Sequence, residues 1–188
     1  KLYEQNALYK AFNALKDTGG RIVVMDEVKF DAFYSLQNTS VADTVFPENK
    51  APITVTSIHG SNNYKSSGAK LVFDHSYWNS GIIEFMGPVV LKDLDIEYRY
   101  NTKSTGNWIN GFSLYASGKD FTVDTGVTVT SVEYAENGST STGDRYINIL
   151  AGRIYLASSG NPVITIKSGT FSSIYGAGHS NVSGSASL

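Results

Sequence analysis

Short apolar segments that alternate and then break at glycine recur along the chain, and that pattern narrows the fold more than any other property. Its clearest instance is Ile164-Thr-Ile-Lys-Ser-Gly-Thr-Phe-Ser-Ser-Ile-Tyr-Gly-Ala-Gly178, where apolar residues alternate, meet glycine and resume with an aromatic. Ile147-Asn-Ile-Leu-Ala-Gly-Arg-Ile154 repeats that order of residue types 17 residues upstream. A strand that is apolar on one face, turns at glycine and re-enters apolar is what each coil of a stacked solenoid requires. The spacing is short for a coil, which usually takes about 20 or more residues. A sandwich of antiparallel hairpins therefore stays open beside the solenoid, with Asn110-Gly111 and Asn137-Gly138 as the turn dipeptides it would use.

The rest of the chain fits the same two choices. Leu2, Ala7, Leu8, Ala11, Phe12, Ala14 and Leu15 fall at helical spacing, which predicts an amphipathic helix over 2–16, stopped by Gly19-Gly20. Arg21-Ile-Val-Val-Met25 then reads as a buried strand, so the helix is placed to cover the open apolar end of a stack. Further strands are predicted at 53–58, 71–73, 82–85, 89–91, 94–100, 112–114, 121–123, 127–129 and 147–155, with polar loops at 37–50, 59–68 and 136–143. The apolar phase switches near Lys92-Asp93, which predicts a corner between two strands. Nothing after Gly178 reads as a second cap. The expectation is an uncapped final coil whose edges continue into more chain or self-associate.

Composition excludes more than it identifies. The 188 residues fit one module, expected to be part of a larger protein, and carry 15 basic against 17 acidic residues with no long run of like charge. Nucleic acid is therefore not an expected partner. No apolar run approaches the roughly 18 residues of a membrane span, so membrane insertion is not expected either. Cysteine is absent, which removes disulfides and thiolate metal sites. Eighteen glycines, twelve tyrosines and only 17% charged residues suit a β-rich protein secreted from, or displayed on, a bacterial cell.

Three stretches carry a resemblance. Ala7 to Val24, with its helix, Gly-Gly and first buried strand, resembles the N-terminal cap of the pectate-lyase-like right-handed parallel β-helix superfamily. Pro52 to Ser57, Gly68 to Leu71 and Gly87 to Ile96 are similar to successive coils of secreted bacterial β-helix modules, and Gly169 to Gly176 to a coil of large bacterial surface proteins. The resemblance implies an all-β, right-handed parallel β-helix with an N-terminal capping α-helix, in a secreted or cell-surface bacterial protein. It fixes no reaction, because fold does not fix function.

Two classes of role follow. Polysaccharide lyases of that superfamily bind Ca2+ through clustered acids and abstract a proton with a basic residue. By that resemblance Asp93, Asp95 and Glu97 would hold the ion and Arg99 would be the base, although alternating charges on a strand also describe a solvated exterior. Glycosidases need two suitably spaced carboxylates; the adjacent Asp26-Glu27 and the Asp144-Arg145 pair read better as turn residues. His59, His75 and His179 have no metal-ligand spacing. The non-catalytic class rests on Tyr64, Tyr77, Trp78, Tyr98, Tyr100 and Trp108, in or beside the loops, whose flat faces suit stacking on sugar rings; internal stacking is the alternative. The expectation is a module that contacts polysaccharide or cell-surface glycan, or is purely structural or adhesive, without a cofactor. The rival is a polysaccharide lyase or glycoside hydrolase.

Overall fold

The computed structural model describes residues 6–31, 44–75, 81–101, 112–135, 138–153, 158–176 and 182–183. The helix forms as α1 (Ala7–Leu15). The Asn6 side chain accepts from the Leu8 amide at 2.8 Å, satisfying one of the free donors at the helix start. Gly19, at φ +66°, ends it by donating to the Leu15 carbonyl. An added Cβ there would lie 2.8 Å from both the Ala51 side chain and the Pro52 carbonyl, so only glycine fits. Leu8 and Phe12 form the buried stripe of α1, and the Phe12 ring lies 4.5 Å from Phe46 and 5.8 Å from Phe85.

The strands follow in rounds. The first holds β1 (Gly20–Val23), β2 (Glu27–Asp31) and β3 (Thr44–Val45). The second holds β4 (Ile53–Thr56), the small pair β5 (Ile58–His59) and β6 (Asn62–Asn63), then β7 (Lys70–His75) and β8 (Ile82–Glu84). The third holds β9 (Val89–Leu91), β10 (Asp95–Asn101) and β11 (Ser113–Tyr115). The fourth holds β12 (Phe121–Val123), β13 (Thr128–Tyr134), β14 (Thr140–Thr142) and β15 (Asn148–Leu150). The last holds β16 (Ser158–Ser159), β17 (Ile164–Ile166), β18 (Ser173–Tyr175) and β19 (Val182–Ser183).

These strands sort into three five-stranded sheets, ordered β1-β4-β9-β12-β17, β14-β13-β10-β7-β2 and β18-β15-β11-β8-β3, with β16-β19 and β5-β6 as separate two-stranded sheets. Register lines up side chains of like kind. Ile53, Val89, Phe121 and Ile164 form one inward file, Val28, Leu71, Ile96 and Val129 a second, and Ile83, Leu114 and Ile149 a third. The files meet in one apolar cluster, where each fully buried aliphatic side chain contributes about 1.5–3 kcal/mol relative to exposure. Asn49, inside this stack, donates from Nδ2 to the carbonyls of Ala51 and Pro88, both at 2.9 Å, and so ties two connections together.

The expected single right-handed parallel β-helix is corrected. The strands divide among five separate sheets of mixed direction: β13 pairs antiparallel with β14, and β5 with β6. In the first antiparallel pair the chain reverses before β14, where Gly138, at φ +80°, donates to the Ala135 carbonyl and Ala135 donates to the Ser139 carbonyl. The supposed repeat is corrected with it. Ile147–Leu150 leads into β15 of the third sheet, whereas Ile164 begins β17 of the first; what stacks on β15 is the later part of the second segment, β18, so the two segments do not meet in the register of their shared pattern. The partners that do stack, Ile53, Val89, Phe121 and Ile164, are 36, 32 and 43 residues apart.

Local readings fared differently from one another. The phase switch near Lys92-Asp93 is a corner between β9 and β10, with Asp93 at φ +46°. The polar loop expected over 37–50 contains Phe46, which is 1% exposed and stacks on Phe85 at 5.0 Å. Phe46→Ala is therefore expected to lose about 3–5 kcal/mol of stability in urea titration, as a core aromatic does. A loss under about 1 kcal/mol would place Phe46 at the surface.

Candidate functional site

Along β10 the side chains alternate between half-buried and buried, so Asp95, Glu97, Arg99 and Asn101 point away from the core, while Ile96, Tyr98 and Tyr100 point into it. The acidic group expected to hold a cation is thus partly assembled, since Asp95, Glu97 and Arg99 share one face. Asp93 is apart from them, at the corner before the strand. Its amide donates to the Thr125 carbonyl and its carbonyl accepts from Ser57, each at 3.0 Å. A Cβ on the neighbouring Gly126 would come within 2.1 Å of Asp93 Oδ1. Asp93 is a turn residue wedged between rounds.

Each of the other three is held by protein partners. Glu97 accepts from Lys70 Nζ at 2.7 Å and from Arg99 Nε, while Arg99 also reaches Glu27 at 3.3 Å and Lys70 approaches Glu27 at 3.6 Å. Asp95 pairs with Lys65 at 2.8 Å, and the same ammonium donates to the Gly126 carbonyl at 2.8 Å. Burial opposes the charge on Glu97, but its bonds to Lys70 and Arg99 prevail and hold its carboxyl below the usual range. Burial likewise opposes the charge on Arg99, and the Glu97 carboxylate prevails, making the guanidinium still harder to deprotonate. A base in a lyase must give up its proton first, and Arg99 is held in the opposite state. A Ca2+ ion on Asp95 and Glu97 would have to displace Lys65, Lys70 and Arg99, and among the described residues no group of three or more acidic, histidine or cysteine side chains is placed to hold a metal. These residues do not fit the ion.

The carboxylates of the glycosidase alternative are occupied as well. Asp26 Oδ1 accepts from the Glu27 amide at 2.7 Å, and Asp144 accepts from the Tyr100 hydroxyl at 2.9 Å.

The aromatic group divides. Tyr100, expected as a stacking surface for sugars, is corrected: it is 1% exposed, with the Tyr98 ring stacked at 5.5 Å and the Arg145 guanidinium over its face at 5.3 Å. Inward register puts both tyrosines in the core, and burial pushes both phenols above their ordinary pKa. Tyr64 is half-buried in a 3-10 turn, Tyr64–Ser67, before β7. Tyr77, Trp78 and Trp108 lie outside the described residues.

In the sequence, Tyr77 and Trp78 fall between β7 and β8, and Trp108 falls between β10 and β11. Compared with known protein families, curated proteins and solved structures, the chain matches none. No relative supplies a function, and the pectate-lyase-like resemblance gains no support from them. Among the described residues no helix is long and apolar enough to cross a membrane.

Sequence reasoning missed a further pair, at the end of β8 and just past β15. Glu84, outward on β8 yet 3% exposed, accepts from Arg153 Nε at 2.7 Å and from its terminal nitrogen at 3.3 Å. Tyr115 and Leu150, the register partners that continue this file, form a second small apolar cluster against Val45 and Ile82. The two charged residues are 69 apart in sequence, so no local signal could have joined them. Arg153→Met would leave a buried carboxylate without its cation and is expected to cost about 3–5 kcal/mol in urea titration. Adding Glu84→Gln should restore most of that, and equal losses in single and double variants would contradict the pairing.

Proposed function

We propose that this chain is a non-catalytic, extracellular module of a bacterial protein that contacts a polysaccharide or cell-surface glycan through loops carried on a rigid stack of strands. The observation that carries the reading is the pairing on β10: Asp95, Glu97 and Arg99, the residues that would have to do lyase chemistry, are bonded to Lys65, Lys70 and Glu27 or to one another. Charge held this way serves the fold. Glycan contact is then assigned to Tyr77 and Trp78, between β7 and β8 in the sequence, and to Trp108, between β10 and β11, with Tyr64 just before β7. Aromatic faces supply the stacking, and the Asn and Ser residues around them supply hydrogen bonds. Self-association belongs to the same proposal, through the last round, where Val163, Ile174 and Tyr175 are exposed.

A panel of plant, host and microbial polysaccharides, read for binding and for new reducing or unsaturated ends, tests this. Binding without new ends is expected, with Trp78→Ala or Trp108→Ala weakening it at least tenfold at an unchanged melting temperature. New chain ends above the blank, or binding indifferent to both substitutions, would refute the reading.

A further inference from the structure

Files that are buried through the stack reach its last round in different states. In the first sheet the last inward residue, Ile164, is buried like Ile53, Val89 and Phe121 before it. In the third, Ile174 continues the inward file of Ile83, Leu114 and Ile149, all buried, yet is itself 36% exposed. Tyr175 continues the outward file of Glu84, Tyr115 and Leu150, also buried, and is 46% exposed. Strand β18 ends its sheet. Successive residues of a strand turn their backbone groups to opposite edges, and the Tyr175 carbonyl accepts from the Ala151 amide on the β15 side at 3.0 Å. The N–H and C=O of Ile174 therefore point to the free edge.

Such edges are ordinarily covered or guarded by charge. The opposite end of the stack is covered: Phe12 of α1 lies 4.5 Å from Phe46, and the Asn6 side chain donates to the Lys29 carbonyl of β2 at 3.1 Å. The last round is nearly without charge. Residues 158–176 hold one charged side chain, Lys167, and Asp124 pairs with it at 3.1 Å. Val163, exposed on the same round, adds apolar surface. An uncharged surface selects no charged partner, and it lets two identical surfaces meet without repulsion. Head-to-tail stacking is closed off by α1, so a second copy has to meet the last round with its own last round.

We propose that a second copy of this chain covers the last round in a closed two-fold dimer, joined by β18 lying antiparallel on β18 of the copy about Ile174. The arrangement rests on the self-association given above and names how it is made. A two-fold axis at Ile174 makes that residue its own register partner. Each Ile174 N–H then donates to the Ile174 carbonyl of the copy, as two directly opposed residues of an antiparallel pair do when they exchange both backbone bonds. Side chains opposed in this way lie on the same side of the joined sheet, so the inward file ends against its copy instead of against water. Growth stops at two, because the pairing face is used up and each far end carries α1.

The chain has no cysteine, so Ile174→Cys introduces a single thiol whose Cα would lie about 5.5 Å from that of the copy, within reach of a disulfide. Mild oxidation should convert most of that variant to a covalent dimer, while Thr140→Cys, on the exposed β14, should stay mostly monomeric. The unsubstituted protein should sediment as a concentration-dependent mixture of monomer and dimer with nothing larger. Ile174→Lys should weaken the dimer at least tenfold with an unchanged circular dichroism spectrum, and Tyr175→Lys supplies the same test if the first variant does not fold. Monomer at every concentration would overturn self-association altogether. A dimer indifferent to both lysine substitutions, or equal cross-linking of the two cysteine variants, would overturn the β18 pairing alone, and species that keep growing with concentration would overturn the closed two-fold. These readouts involve no glycan, so a dimer that binds none would count against glycan contact and not against this pairing.

Discussion

Parallel pairing in register is the constraint on which the rest of this structure depends. When a strand of one round lies directly on the strand of the round before, every inward position repeats along a file, and each file must be apolar throughout. The file Ile53, Val89, Phe121, Ile164 meets that demand in the first sheet, and Ile83, Leu114, Ile149 in the third. The outward positions are subject to the same repetition. Charges on neighbouring strands are brought within reach whether or not any chemistry needs them, so opposite signs must alternate or the face repels itself.

The outward side of β10 shows how that rule is met. Lys70 stands between Glu27 and Glu97, and Arg99 bridges those same two carboxylates from the other side. A cluster of acids beside an arginine resembles a lyase site when read along one strand. Across strands it is a neutralised face, because the partners come from β2 and β7. The candidate base and the candidate cation ligands satisfy each other and their neighbours.

How much was legible follows from the range of each signal. Alternation is local, so β9, β12 and the corner at Asp93 could be read from a few residues, and α1 from its apolar spacing and the glycines after it. Stacking partners were not legible, because the connections vary and the true intervals of 36, 32 and 43 residues share no period, whereas the visible 17-residue echo joins strands of different sheets. Phe46 was hidden because the apolar run around it, Val45-Phe46-Pro47, is too short to show a period within a polar stretch, although α1 and Phe85 bury it from elsewhere in the chain. Tyr100 was misplaced for a related reason: a tyrosine beside a loop can face either way, and only the register of β10 with β7 and β13 turns it inward. Ion partners 27 and 72 residues apart leave no trace in sequence spacing.

The central claim is that the charged residues of β10 fasten one round to another. The most direct measurement is a double-mutant cycle between Glu27 and Arg99, whose strands lie on opposite sides of β7, with Glu27→Gln, Arg99→Met and the combination compared by urea titration at low salt. A favourable coupling of about 0.5–1 kcal/mol, reduced by added salt, is the result this account predicts for a partly exposed pair. Additive effects within about 0.3 kcal/mol would contradict it and would leave Arg99 free for another role.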